Sequence, residues 1–414
     1  AEYAGVFAAG KTPPPWWEVI LYRWYDATVA VANFANHPVL AYHGSEDRQG
    51  QSTAIMQRFA EKEGVNIEEF IGPGVGHKYE PETKKKIAEK IDALLKNGRE
   101  QAQRHGRFVT YSPIHFKMAN IIIQSLERSW ERAELKYDLK NDGQLVVETK
   151  NVADFAIGIE SYVKPKVQRF VVDGHELRFP ANATMVSSVK VKGVWVEEQN
   201  VEKGVAQISE EQTQEINKAV SGNRKTPRVC GPIDHAFMNS FIFVKPSGTP
   251  FNATLGEWTQ RELAHATKQW RAIFRGDAPT VDDASLTDAQ IQNSNLILWG
   301  DPSSNAVLKK IADKLPVKWT KDGLEFGGKK YDAATHLPIL IFPNPLNPHR
   351  YVVLNSGFTF SRACASGTNS LQTPKLPDWA IVDTTVPPDD KFPGKIVDAG
   401  FFDEQWRFTT ERPK

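Results

Sequence analysis

The sequence predicts a mixed chain, with an α/β layer at each end and an antiparallel β-sandwich between them. Three observations predict it. Residues 1–104 alternate short apolar runs with amphipathic helical stretches, the pattern of strands and covering helices in a parallel layer. Residues 105–200 hold short runs rich in β-branched and aromatic residues, separated by turn residues. Residues 228–414 return to strands alternating with helices, so a Rossmann- or flavodoxin-like layer is expected there.

Taken in order, Val39–Tyr42 reads as a buried strand. Ser52–Glu63 reads as a helix with Ile55, Met56 and Phe59 on one face. Asn66–Ile71 reads as the next strand. Glu82–Lys96 is amphipathic, with Ile87, Ile91, Leu94 and Leu95 inward and lysines outward. Residues 97–106 are polar and read as a connection. In the middle block, RFVTYS, NIIIQSLE, ERAELKYDL, QLVVETK, FAIGIES, QRFVVDG and MVSSVKVKGVWVEE are the strand runs. Asn141-Asp142-Gly143 and Asp173-Gly174 are hairpin turn pairs. Residues 201–227 form a linker, with a polar helical stretch over Ser209–Ala219. Beyond it come strands at Phe241–Val244, Asn295–Trp299, Pro338–Phe342 and Tyr351–Leu354, and helices at Leu255–Phe274 and Ala306–Leu315.

Composition narrows the functional classes. The chain has 414 residues, with 51 basic and 50 acidic side chains and a formal net charge of +1. That balance supports neither a nucleic-acid nor an anionic-membrane partner. Mean hydropathy is −0.44, and no apolar run approaches the roughly 20 residues of a membrane helix. Two cysteines are too few for a disulfide framework or a cysteine-only zinc site. The opening residues AEYAGVFAAG show no basic stretch followed by an apolar one.

The strongest chemical pattern lies in the first block. A buried strand runs into His43-Gly44-Ser45-Glu46-Asp47, and the next runs into Gly72-Pro73-Gly74-Val75-Gly76-His77. The two sites are separated by one helix and one strand. A carboxylate after one parallel strand and a histidine after the next is the layout of an α/β-hydrolase sheet. There the acid holds the imidazole tautomer and the other ring nitrogen takes a proton from serine. Asp47 and His77 are therefore the candidate acid and base. The chain contains no G-x-S-x-G. Gly50-Gln51-Ser52-Thr53-Ala54 follows the acid loop instead of a strand, and Ser52 reads as a helix N-cap. Chain order in this fold is serine, acid, histidine, so the serine is expected before residue 1. One or two strands of a parallel sheet leave their inner edge unpaired, so an amino-terminal polypeptide is the expected partner.

PPPWWE and LYRWYDAT (residues 13–28), AYHGSEDRQGQ (41–51), IGPGVGHKYEPET (71–83) and GPIDHAFMNSF (231–241) carry a family resemblance. So do NLILWGDPSSN (295–305), FPNPLNPHRYVVLNSGFTF (342–360) and LPDWAIVD (376–383). Across essentially its whole length the chain resembles the carboxyl-terminal half of large bacterial prolyl-oligopeptidase-like α/β-hydrolases of planctomycete type. The resemblance implies that Asp47 and His77 serve a serine lying upstream, that the substrate is an ester, a peptide or a polymer, and that the protein is secreted or periplasmic. The chain departs from the family in lacking the serine.

Other candidates are weaker. Trp16, Trp17 and Trp24 fall between the expected serine and the acid, where this fold often inserts a lid or pocket wall; the same rings would serve equally as core. His43 ends a strand beside the acid and is a second candidate for the substrate pocket. Asp301, Ser303, Ser304 and Asn355 lie after strands in the terminal block and form a possible anion site, with ordinary helix capping as the competing role. Glu262 and His265, three apart on one helix, read as a packed or solvated face, and neither a metal nor a cofactor is expected. The competing functional class is a catalytically silent fragment or a module that binds a ligand or polysaccharide.

Overall fold

A computed structural model describes residues 13–96, 98, 103–159, 165–180, 182–197, 224–360, 362 and 372–414. The opening residues, the stretch Ser209–Ala219 and most of the 201–227 linker lie outside the described residues. The fold is mixed α/β, with several sheets and a largely β region. By internal contacts the chain divides into two compact units. One draws on Asp26–Glu127 and Glu131–Val220, the other on Phe7–Tyr25, Arg128–Trp130 and Ser221–Lys414.

The first unit opens with a ten-residue 3-10 stretch, Ala27–Asn36. Strands β1 (Leu40–Gly44) and β2 (Glu68–Gly72) then pair in parallel, Leu40 opposite Glu68 and Gly44 opposite Gly72. The parallel sense requires a crossover, supplied by the helix Gln51–Lys62. Its apolar side (Met56, Phe59, Ala60) meets Val31, Phe34, Val39, Ala41 and Ile67. The helix Pro81–Lys96 follows β2.

The β-rich region is two five-stranded sheets. Its strands are β3 (His105–Thr110), β4 (Lys117–Met118), β5 (Ile121–Leu126), β6 (Ala133–Leu139), β7 (Gln144–Lys150), β8 (Val152–Gly158), β9 (Arg169–Val172), β10 (His175–Leu177), β11 (Met185–Val191) and β12 (Val194–Glu197). One sheet has the order β10-β9-β7-β6-β3, the other β12-β11-β8-β5-β4. The described pairings are antiparallel except β7–β9, which is parallel where an antiparallel sandwich is expected, because the chain passes through β8 of the other sheet between them. Alternation sends Leu135, Val147 and Phe170 of the first sheet and Ile123, Phe155 and Trp195 of the second into one core. Each such side chain contributes about 1.5–3 kcal/mol of burial. Hairpin turns fall where the sequence places them: Gly143, Asp173 and Gly174 all have positive φ.

The second unit is built on strands β13 (Phe241–Lys245), β14 (Thr280–Asp282), β15 (Asn295–Leu298), β19 (His336–Asn344), β20 (Asn347–Leu354), β21 (Trp379–Asp383) and β22 (Lys395–Gly400). Between β15 and β19 the chain adds a small antiparallel sheet of β16 (Val317–Thr320), β17 (Gly323–Phe326) and β18 (Lys329–Tyr331). The main sheet has the order β14-β13-β15-β20-β19-β21-β22. Its first four strands are parallel and the rest antiparallel. This differs from the fully parallel layer expected of a Rossmann- or flavodoxin-like domain. The reason is local: β19 and β20 are joined through Pro345 and Leu346 alone, a link that permits only an antiparallel hairpin. The long helix Ala253–Phe274 connects β13 to β14, its N-terminus capped by Asn252, whose Oδ1 accepts from Leu255 N at 2.9 Å. Among the described residues, no helix is long and apolar enough to cross a membrane.

Candidate active site

Both arms of the site leave the same end of the β1–β2 pair. The acid arm turns at once, with Asp47 N donating to Gly44 O at 3.0 Å. Ser45 N donates to Gly72 O and Glu46 N to Val75 O, at 2.8 and 3.0 Å, so the turn is tied to the histidine arm. That close approach is why residue 44 is glycine: a Cβ there would lie 2.1 Å from Val75 O. On the histidine arm, Gly74 N donates to Ser45 Oγ at 2.9 Å. Tyr42 Oη donates to Lys78 O and accepts from Glu80 N, both at 2.9 Å, and its ring stacks on Tyr79. Glu80 then caps the following helix through Glu82 N and Thr83 N.

These constraints bring Asp47 and His77 together, with Oδ2 2.8 Å from Nδ1. A carboxylate only accepts, so the proton of that bond sits on Nδ1, which leaves Nε2 as the lone-pair nitrogen of the neutral ring. The other carboxylate oxygen accepts from Gln49 N at 2.8 Å. The Gln49 N–H, followed by His77, holds the Asp47 carboxyl below the usual carboxylate range. Asp47 is largely covered, whereas the His77 side chain is 79% exposed. Among the described residues, no serine hydroxyl is hydrogen-bonded to the His77 ring. Ser52 Oγ donates to Gln49 O at 2.8 Å. It sits inside the helix, whose N-cap is Gly50, so the expected N-cap role moves two residues upstream.

His43 lies behind the acid turn. Its Nδ1 meets Gly44 O at 2.9 Å and its Nε2 meets Glu69 Oε1 at 3.0 Å. Both partners are acceptors, so only the imidazolium satisfies both. The Gly44 carbonyl raises its pKa first, burial opposes, and Glu69 and Asp47 raise it further. Gly50 packs on the ring, where a Cβ would lie 2.7 Å from Nδ1. His43 is thus a brace of the acid turn, which is a different role from lining a substrate pocket. Glu69 was not legible as its partner: it stands two residues before Ile71, the register partner of His43, and that register is not visible in the sequence.

The remaining candidates belong to the second unit. Trp16, Trp17 and Trp24 pack with Ile20, Leu21, Trp130 and Phe401. Trp17 Nε1 donates to Lys375 O at 3.1 Å, and Trp24 stands edge-on to His235. All three are partly buried and pack on this cluster, the competing role the sequence left open for them. The proposed anion loop is likewise spent internally. Asp301 Oδ1 accepts from Ser303 N and Ser304 N at 2.9 and 3.0 Å, and Asp301 N donates to Ser304 Oγ at 2.9 Å. Asn355 clamps the Gly300 peptide through both ends of its amide. Asn305 caps the next helix at Val307 N and Leu308 N. Donors that an anion needs are occupied, and a carboxylate points among them, so this loop is a bracing element. Among the described residues, no group of His, Cys, Asp and Glu is placed to hold a metal ion.

Comparison with protein-family models, with curated proteins and with solved structures returned no match.

Proposed function

We propose that this chain carries the acid–base half of a serine-hydrolase site of the α/β-hydrolase type, acting on an ester or peptide bond. One observation carries the reading: the 2.8 Å Asp47–His77 bond at one end of a parallel strand pair, with the free face of the imidazole open. In this reading Asp47 keeps the Nδ1–H tautomer and stabilises the imidazolium that forms. His77 Nε2 takes the proton of a serine hydroxyl and returns it to the leaving group. The serine is contributed by polypeptide outside residues 1–414, seated on the open edge of the β1–β2 pair. One oxyanion donor would come with it, because the residue after the serine supplies an N–H in this fold.

The test is fluorophosphonate labelling with intact-mass detection, on this chain and on a longer polypeptide encoded with it. Labelling of the longer polypeptide only is expected. His77→Ala should lower its turnover by roughly 10⁴-fold or more. Labelling of the short chain, or turnover that survives His77→Ala, would overturn the assignment.

A further inference from the structure

A cleft in the second unit plays no part in the hydrolase reading. It lies at the carboxyl ends of β15 and β20, neighbouring parallel strands. Trp299 follows β15, and the segment from Asn355 to Thr359 follows β20. The helix Ala253–Phe274 contributes Glu262 and His265 to the facing wall. In open α/β sheets, the space outside the carboxyl ends of parallel strands is where ligands bind. The cleft is narrow, with about 30 Å³ open to groups the size of a water molecule.

Its chemistry is specific. Glu262 is buried and paired with Arg362, while Lys391 and Lys375 share the Glu18 carboxylate, so charges of both signs border the cleft. Three buried polar atoms of lining residues lack a hydrogen-bond partner: Glu262 Oε1, His265 Nε2 and Trp299 Nε1. Arg261 Nε comes within 3.5 Å of Glu262 Oε1 without forming a hydrogen bond to it. Burial first, then Arg362 and Lys268, push the His265 imidazole down to about 4. At neutral pH that ring is uncharged and its Nε2 donates or accepts. Glu262 Oε1 only accepts and the indole N–H only donates. Buried groups left in this state carry a penalty that a matching ligand relieves.

An anion entering here meets the Glu262 carboxylate, and a cation meets Arg362 and Lys391. A neutral hydroxyl meets neither objection, because it donates to the carboxylate oxygen and accepts from the indole. Phe358 adds an apolar surface for a C–H face. We infer that this cleft binds a neutral polyhydroxylated ligand, one diol edge of a sugar ring or polyol entering among Glu262, His265 and Trp299.

The experiment is calorimetric titration of the full chain with D-glucose, D-xylose, D-galactose and xylitol, and with acetate and phosphate as charged controls. Saturable binding of at least one neutral probe is expected. His265→Ala and Trp299→Phe should each weaken it about 10-fold, with a cooperative melt retained. His265→Ala keeps the Glu262–Arg362 pair and decides the matter if Trp299→Phe does not fold. His77→Ala should bind the same probe unchanged, which separates this result from the hydrolase reading. Absence of saturable binding by every neutral probe, binding of the anions alone, or binding indifferent to both variants overturns the inference.

Discussion

At the residue scale, Asp47 and His43 titrate in opposite senses around one short turn. The folded value of Asp47 is depressed, so its contribution is present above the ordinary carboxylate range and is lost as pH falls through the folded value. The folded value of His43 is raised from 6.5, so its contribution is complete below about 6.5 and is lost as pH rises through the raised value. Both hold the turn only between those two limits. A neutral ring has a single N–H, so loss of the imidazolium proton costs His43 one of its two contacts, to Gly44 O or to Glu69. Ring chemical-shift titration of the chain should find His43 titrating above the ordinary imidazole value. Glu69→Gln should move it part of the way back, leaving the Gly44 carbonyl as its larger support. A His43 that titrates at or below 6.5 would remove the brace from the account.

At the element scale, the informative contact is between the 3-10 stretch and the edge of the sandwich. Strand β3 is an edge strand, with one row of backbone groups facing away from β6. Asn33 Nδ2 donates to Val109 O and Asn33 Oδ1 accepts from Val109 N, at 2.9 and 2.7 Å. Asn36 repeats this on Arg107, at 2.6 and 3.0 Å. The spacings match for a physical reason. Residues i and i+3 of a 3-10 helix eclipse one another at about 6 Å, and residues i and i+2 of a strand are about 6.6 Å apart. Two side-chain amides thereby stand in for a missing strand and cover the edge. Arg107 strengthens the junction, with Nη2 2.5 Å from Glu63 Oε2 and Nε 2.6 Å from Glu134 Oε1. Asn33→Ala and Asn36→Ala should each destabilise the first unit by about 1–3 kcal/mol in urea denaturation, because each strands backbone groups. A shift below about 0.3 kcal/mol for both would show that the edge does not depend on them.

At the scale of the whole molecule, the two-stranded layer of the first unit is thinly covered, with only Gly44 and Gly72 of its strands buried. Among the described residues, neither outer edge of the β1–β2 pair is matched by another strand. Ile71, Tyr79, Ile91 and Leu95 are exposed, although the helix Pro81–Lys96 has a clear apolar face. By contrast β5, β8 and β11 lie side by side over a closed core. Hydrogen exchange should therefore be faster in β1 and β2 than in β8, since local opening follows local burial. Under the proposed function, the longer polypeptide should slow exchange in β1 by at least about 10-fold. Exchange in β1 already as slow as in β8 would mean that the layer needs no further strand.

The sequence by itself determined the features that live in short windows. The strand–turn–helix spacing around Asp47 and His77 is legible because each lies just past an apolar run, and the intervening helix forces the strands parallel. Hairpin turns at Asp142-Gly143 and Asp173-Gly174 are legible because few residues accept their backbone. Tertiary structure alone decided which faces meet. It set the β1–β2 register that pairs His43 with Glu69, and it packed Trp16, Trp17 and Trp24 against the Leu21–Trp130 cluster. It also closed the Asp301 loop on itself and turned half of the terminal sheet antiparallel. Periodicity reports that a side chain is buried and says nothing of its partner, which depends on contacts between segments hundreds of residues apart, such as Trp17 with Lys375.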